Sequence, residues 1–203
     1  MQNIKNIIFD LGGVILNIDI KLTEHALQDL GINNFSQYMG SSHLISFFKE
    51  YEAGKIDDAA FIRAIQALSE KAIKEEAIVN AWNALLLDFP AERIELLRKL
   101  KKKYRLFLLS NTNAIHHRRF QQQLYLQTGN YLENLFDKTY YSHTIGLCKP
   151  DVAAFRLVIN ENKLDPAETI FVDDTEANMT GAKEAGLHIA HIRPHTSILD
   201  IEW

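Results

Sequence analysis

Short apolar, β-branched runs alternate with helical patterns over the second half of the chain, and this alternation constrains the fold more than any other feature. After Pro90 the pattern predicts helices over residues 92–103, 152–163 and 178–185, with strands over residues 106–110, 170–172 and 189–192 between and after them. Such alternation is typical of a mostly parallel, doubly wound sheet. We therefore predict an α/β fold with a Rossmann-like core.

The first half of the chain predicts one further strand and then changes character. Residues 4–9 form an apolar run that ends at Asp10 and two glycines, where a tight turn is expected. Residues 20–88 carry helical patterns with almost no strand-like run. The predicted organisation is a core of residues 1–19 and 89–203, with a small helical cap of residues 20–88 inserted after the first strand.

Composition narrows the classes of function. The 203 residues are 47% hydrophobic, which is enough for a sizeable core. The formal net charge is −4 and the cations are scattered, so no basic surface for nucleic acid is predicted. The chain has no membrane-spanning run or secretory signal pattern, and its one cysteine, Cys148, cannot form an internal disulfide. We expect a cytoplasmic protein that acts on a small molecule, without nucleic-acid or membrane partners; the oligomeric state is left open.

Polar side chains follow three of the predicted strands. They are Asp10, the pair Ser110 and Asn111, and the pair Asp173 and Asp174. Taken alone, Asp10 is typical of a turn, and Ser110 and Asn111 are typical helix caps. Ligands of doubly wound sheets, however, bind at the carboxyl ends of the strands. Adjacent carboxylates repel each other unless a cation compensates, so Asp10, Asp173 and Asp174 predict a Mg²⁺ site.

Further residues predict a place for an anionic group beside that metal. The hydroxyl of Ser110 and the backbone N–H groups of a strand-to-helix turn can hold phosphate oxygens. Lys149 precedes Pro150 at a predicted helix start. An exposed lysine is the usual interpretation, but a fixed cation there could neutralise both a phosphoryl group and a nucleophilic carboxylate.

Four segments, in order, resemble the motifs of the haloacid dehalogenase-like hydrolase superfamily, and they span almost the whole chain. They are Phe9-Asp10-Leu11-Gly12-Gly13-Val14, Leu109-Ser110-Asn111-Thr112-Asn113, Gly146-Leu147-Cys148-Lys149-Pro150, and Phe171-Val172-Asp173-Asp174 continuing through Asn178-Met179-Thr180-Gly181-Ala182. Together with Asp19, the stretch 51–56 and His116, they are most similar to the α-D-glucose-1-phosphate phosphatase-like branch. The resemblance implies the same core fold and a small cap.

The resemblance also implies roles for individual residues. Asp10 is expected to attack phosphorus and form an aspartyl-phosphate, which water then hydrolyses. Ser110 and Asn111 are expected to bind phosphate oxygens, and Lys149 to stabilise the charge on nucleophile and phosphoryl group. Mg²⁺ is expected on Asp10, the backbone carbonyl of Gly12, and both Asp173 and Asp174. The expected function is a magnesium-dependent phosphatase for small phosphate monoesters of metabolites, including sugar phosphates.

Gly12 departs from the pattern of many phosphatases of this superfamily. They carry there a second aspartate, which serves as general acid and base. His116 is the next candidate for proton transfer, because its ordinary pKa lies near neutrality. An ordinary surface or capping role is its simpler interpretation. Asp19 and Glu52 compete with it for the catalytic role.

Three other functions remain open at this stage. Dehalogenases of the superfamily also lack the second aspartate, so a haloacid dehalogenase with the same nucleophile is the first alternative; the acidic pair argues against it, because those enzymes typically dispense with metal. A noncatalytic protein that binds phosphate or a metabolite is the second alternative. A phospho-accepting receiver domain is the third, and the long helical insertion argues against it.

Overall fold

A five-stranded parallel sheet forms the centre of the computed structural model, which describes residues 3–33, 35 and 42–203. The strands are β1 (Asn6–Phe9), β2 (Arg105–Ser110), β3 (Lys138–Tyr141), β4 (Thr169–Asp173) and β5 (His188–His191), in the spatial order β3-β2-β1-β4-β5. β1 lies in the middle, with Phe9 level with Leu108 of β2 and with Val172 of β4. The carboxyl ends of β1, β2 and β4 therefore meet at one edge.

Helices cover both faces of this sheet. They are α5 (Ala91–Leu100), α6 (Ala114–Thr128), α7 (Leu132–Leu135), α8 (Ser142–Ile145), α9 (Val152–Asn162) and α10 (Glu176–Glu184). Alternate residues of β1 supply the two cores: Ile7 and Phe9 pack with residues of α5 and α6, whereas Ile8 packs with residues of α9 and α10. Successive strand side chains point to opposite faces, so both faces are buried. The predicted doubly wound α/β fold is confirmed.

Residues between β1 and α5 form a helical insertion. In the described part of the insertion, the helices include α1 (Ile20–Asp29), α2 (Ser42–Glu52), α3 (Asp58–Gln66) and α4 (Glu75–Asn83). They share a hydrophobic cluster built around Leu27, Phe61 and Ile78, which also includes Ile115 of α6. Residues 34 and 36–41 of the predicted cap lie outside the described residues. The helical content was predicted correctly, and the boundaries at residues 19 and 89 stay a prediction.

Two segments join the insertion to the sheet, and they pair with each other. The N–H of Asp19 donates to the carbonyl of Leu85 at 2.9 Å, and the N–H of Leu87 donates to the carbonyl of Asn17 at 3.0 Å. The carbonyl of Asp88 also accepts from the N–H of Asn17 at 2.9 Å. This antiparallel ribbon fixes where the insertion leaves and rejoins the core.

The element bounds differ from the predicted ones in a few places. The predicted strand over residues 4–9 is β1, and the predicted helix over 92–103 ends at Leu100. β3 was not predicted, because its four residues carry a lysine and a threonine and lie at the edge of the sheet. Within the described ranges, no helix has the length and apolar character that crossing a bilayer requires.

Candidate active site

Asp10 and Asp173 lie side by side at the carboxyl edge of the sheet. Asp10 directly follows β1, and Asp173 is the last residue of the adjacent β4. The backbone N–H of Asp10 donates to the carbonyl of Val172 at 2.8 Å, which continues the strand pairing up to the site. Both carboxylates are largely buried. The sheet itself therefore brings together two of the residues that the sequence singled out.

Lys149 joins these two carboxylates. Its Nζ lies 2.6 Å from Oδ1 of Asp10 and 2.7 Å from Oδ2 of Asp173. The side chain of Asn178 donates a further hydrogen bond of 2.9 Å to the same Asp173 oxygen. Lys149 is only 4% exposed, so this cation acts at short range and with little screening by water.

Asn111 holds the loop that carries Lys149. Its side-chain amide donates to the carbonyl of Lys149 at 2.8 Å, and its side-chain oxygen accepts from the N–H of Lys149 at 2.9 Å. The peptide bond between Lys149 and Pro150 is cis. The two hydrogen bonds between the Asn111 side chain and the Lys149 backbone favour a positioning role for Asn111. The predicted contact of Asn111 with phosphate stays a prediction.

Ser110 ends β2 next to Asp10 and is buried. The turn after it is fixed by Ser142, whose Oγ accepts from the N–H of Thr112 at 2.9 Å and donates to the carbonyl of Thr112 at 2.8 Å. Sequence reasoning assigned no role to Ser142, because its partner lies thirty residues away along the chain. The predicted contact of Ser110 with phosphate stays a prediction.

Burial and neighbouring charges shift the pKa values of three ionisable groups in the site. Burial raises the pKa of Asp10 to about 7, although the Lys149 ammonium opposes this shift. Burial also lowers the pKa of Lys149, but the charges of Asp10 and Asp173 outweigh it, so that the net pKa lies above its ordinary value. Burial and the neighbouring charge of Asp173 raise the pKa of Asp174. With one ammonium against three carboxyl groups, the site favours an additional cation.

The donor set fits a divalent metal ion. Asp10, Asp173 and Asp174 each offer an oxygen, and these oxygens lie within 4.8 Å of one another. Hard carboxylate oxygens are the ligands that Mg²⁺ prefers. Gly13, at φ +73°, lets the chain pass close to Asp174: a Cβ there would lie 2.2 Å from Oδ2 of Asp174. The predicted carbonyl ligand at Gly12 stays a prediction.

His116 is held by two partners on the border with the insertion. Its Nε2 lies 2.9 Å from the carbonyl of Trp82, and its Nδ1 lies 3.0 Å from the side-chain nitrogen of Asn113. A carbonyl only accepts, so Nε2 carries the proton and Nδ1 accepts from Asn113. The imidazole also stacks on Trp82 with ring centroids 5.0 Å apart. This arrangement favours a structural role, and the predicted proton transfer stays untested.

The buried imidazole predicts a loss of stability in acid. Burial lowers the pKa of His116 from 6.5 to about 4, and the hydrogen bond to Trp82 only partly opposes this. Below pH 6.5 the unfolded chain binds a proton that the folded protein does not bind until about pH 4. The free energy of unfolding therefore decreases as the pH falls through this window, by up to about 1.4 kcal/mol per pH unit.

Urea unfolding between these pH values tests the shift, with His116→Gln as the comparison. We expect the variant to lose stability less steeply than the parent protein. His143, whose pKa burial also lowers to about 4, is present in both proteins and cancels in the comparison. Parallel stability curves for the two proteins would show that His116 is not the titrating group.

Gly181 allows α10 to pack on the segment that follows Lys149. A Cβ at Gly181 would lie 2.0 Å from the carbonyl oxygen of Pro150 and 2.9 Å from the ring of Phe155. Helix propensity alone predicts that Gly181→Ala stabilises by about 1 kcal/mol. We expect the opposite sign, a loss of about 1–3 kcal/mol from overpacking, measured by urea unfolding. A stabilised variant would contradict this packing.

Comparisons with known proteins agree with the fold. The haloacid dehalogenase-like hydrolase family model matches residues 4–186. D-ribitol-5-phosphate phosphatase of Bacteroides thetaiotaomicron is 31% identical over 183 residues, which cover 90% of this chain and 89% of that protein.

Solved structures show the same likeness. A HAD family enzyme of Bacteroides thetaiotaomicron, in complex with magnesium and inorganic phosphate, has a TM-score of 0.87 and 32% identity, covering 96% of this chain and 97% of that one. A HAD-like family hydrolase from Porphyromonas gingivalis has a TM-score of 0.84 and 28% identity, covering 93% of this chain and 91% of that one.

Proposed function

The chain belongs to the haloacid dehalogenase-like hydrolase family, and on that premise we infer that it is a magnesium-dependent phosphatase that hydrolyses small phosphate monoesters through an aspartyl-phosphate on Asp10. The observation that carries this function is the arrangement around Asp10. A buried carboxylate is held at 2.6 Å by the Lys149 ammonium, and its oxygen lies within 4.8 Å of oxygens of Asp173 and Asp174, close enough for the three to share a metal ion.

The first chemical step is attack by an Asp10 oxygen on phosphorus, with release of the alcohol. Lys149 orients Asp10 and offsets the negative charge that the carboxylate and the phosphoryl group bring together. Asp173 keeps Lys149 in place, and Asn178 keeps Asp173 in place. Asn111 fixes the backbone of Lys149. In the second step, water attacks phosphorus and frees Asp10.

Asp10, Asp173 and Asp174 would hold the Mg²⁺ ion. When bound, Mg²⁺ supplies positive charge that offsets these carboxylates and polarises a phosphate oxygen. The same acidic cluster argues against the haloacid dehalogenase alternative, because a metal-free displacement at carbon needs Asp10 as its nucleophile but needs no cation site beside it. It also argues against a protein that only binds phosphate, because clustered carboxylates without a metal repel that anion.

The helical insertion is proposed to act as a cap over this site. A cavity of about 700 Å³ lies between them; Glu52 and Lys55 line it from the insertion, and Asn111 and Lys149 line it from the core. Charged groups line much of this space, which suits a small, hydroxylated phosphate ester such as a sugar phosphate. We propose a phosphorylated metabolite as the substrate and the cytoplasm as the place of action; the half-buried, unpaired thiol of Cys148 suits a reducing compartment.

A panel of phosphorylated metabolites, assayed with Mg²⁺ and with EDTA, tests the function. We expect phosphate release from small esters that depends on Mg²⁺ and is suppressed by chelation. A short haloacid, assayed for halide release, is the matched control for the alternative chemistry. Halide release that persists in EDTA, without any phosphate release, would show that the protein is a dehalogenase and not a phosphatase.

A further inference from the structure

Gly12 cannot donate a proton to the alcohol that departs from the phosphate ester. It stands two residues after Asp10 and has no carboxyl group, yet an alcohol of ordinary pKa leaves slowly unless its oxygen is protonated. Three side chains near this end of the sheet are candidates for the missing acid: His116, Asp19 and Glu52. The contacts that each side chain makes in the structure distinguish between these three candidates.

His116 and Asp19 are already engaged. Both ring nitrogens of His116 have partners, since Nε2 donates to the Trp82 carbonyl and Nδ1 accepts from Asn113. Proton transfer to substrate would require breaking one of these buried hydrogen bonds. Asp19 is the N-cap of α1, where its Oδ1 accepts from the N–H of Lys21 at 3.0 Å.

Glu52 has a different position. It is the last residue of α2, it is half-buried, and it lines the cavity of about 700 Å³ together with Asn111 and Lys149. Lys149 in turn contacts Asp10 at 2.6 Å, so this cavity adjoins the nucleophile. A phosphate ester bound on Asp10 would place its alcohol portion in the cavity, on the side of the insertion.

The ionisation of Glu52 suits an acid. Burial raises the pKa of its carboxyl group above the ordinary value, although the ammonium groups of Lys149 and Lys49 oppose this. A raised pKa keeps part of the carboxyl population protonated closer to neutral pH. Once ionised, the same group becomes a stronger base toward water than an ordinary glutamate.

We propose that Glu52 is the general acid and base of this enzyme, so that the insertion supplies the group that Gly12 lacks; the inference rests on the proposed function. As the bond between Asp10 and phosphorus forms and the ester bond breaks, the Glu52 carboxyl gives its proton to the leaving oxygen. The resulting carboxylate then takes a proton from water as that water attacks the aspartyl-phosphate. Phosphate leaves, and both Asp10 and Glu52 return to their starting states.

Comparing aryl and alkyl esters in Glu52→Gln tests this role. An aryl phosphate such as 4-nitrophenyl phosphate has a stable leaving anion, whereas an alkyl phosphate such as the best sugar phosphate of the panel needs a proton. We expect kcat/KM for the alkyl ester to fall by about 10²-fold, because general acid catalysis is typically worth 10²–10⁴-fold. The kcat/KM for the aryl ester should change by less than about threefold, because it reports only on steps up to release of the alcohol.

Glu50→Gln is the matched control, because it removes the same charge two residues earlier on the same helix. We expect it to leave the ratio of the two kcat/KM values unchanged. An equal loss for both esters in Glu52→Gln, or no loss in either, would overturn the role of Glu52 while leaving the phosphatase function intact.

A second measurement needs no variant. In the parent protein, kcat/KM over a series of aryl and alkyl phosphates should depend only weakly on the pKa of the leaving alcohol, because a protonated oxygen carries little charge as it leaves. A steep dependence would show that no acid acts and would overturn the proposal. Absence of phosphate release from every ester would instead defeat the proposed function itself.

Discussion

Asp10→Asn should lower kcat for phosphate release at least about 10³-fold while the protein remains folded, because a neutral amide is a poor nucleophile and cannot form the aspartyl-phosphate. The substitution keeps the size of the side chain, which is 12% exposed and contacts Lys149. The measurement is a Mg²⁺-dependent phosphate-release assay, accompanied by thermal unfolding to establish the fold. Comparable turnover in the folded variant would remove Asp10 from the mechanism.

Lys149→Met should reduce both activity and stability. The variant leaves Asp10 and Asp173 without the ammonium that lies 2.6 and 2.7 Å from them. Removing one partner of a buried ionic cluster costs about 3–5 kcal/mol. We expect a loss in the free energy of unfolding of this order at neutral pH without metal, and a loss of about 10²–10³-fold in kcat/KM.

The stability loss in Lys149→Met should be smaller near pH 5, because protonation of Asp10, whose pKa burial raises, relieves its repulsion with Asp173. Urea unfolding at the two pH values measures it. Lys55→Met is the matched control, since Lys55 is an exposed lysine on the wall of the same cavity and its loss should change stability by less than about 0.5 kcal/mol. Similar stability losses for both variants would contradict the ionic role of Lys149.

The core of the fold could be predicted because its three central strands carry short apolar runs. β1 and β4 are buried along their whole length, and β2 is buried except for Arg105. β3 was not predicted, because polar side-chain contacts help to hold it. Lys138 pairs with Glu161 at 2.6 Å, and the Tyr140 hydroxyl donates to the same carboxylate at 2.8 Å. An edge strand with such contacts does not show an apolar run.

The candidate site was predictable as a set of residues but not as a network. The ends of adjacent parallel strands must meet, so the proximity of Asp10 to Asp173 follows from the predicted topology. The contact of Lys149 with both carboxylates depends on a loop whose path is fixed by Asn111, thirty-eight residues away in the sequence. Such a contact leaves no periodic signal.

The contacts of His116 also could not be predicted from the sequence near it. Its partner, the carbonyl of Trp82, belongs to the insertion and lies thirty-four residues earlier in the chain. An ordinary pKa near neutrality made His116 a candidate for proton transfer, and only the tertiary contact with Trp82 shows that its Nε2 is engaged. A histidine's pKa depends on burial that local sequence does not reveal.

The central claim, that an aspartyl-phosphate forms on Asp10, is tested most directly by trapping the intermediate. The enzyme is quenched with acid during turnover of 4-nitrophenyl phosphate with Mg²⁺, and its peptides are then analysed by mass spectrometry. An acyl phosphate survives acid long enough to be located on a peptide. The account predicts one added phosphoryl group on the peptide that contains Asp10, with none on that peptide in Asp10→Asn or in EDTA. Rapid phosphate release without a phosphorylated peptide, or with the phosphoryl group on another residue, would contradict it.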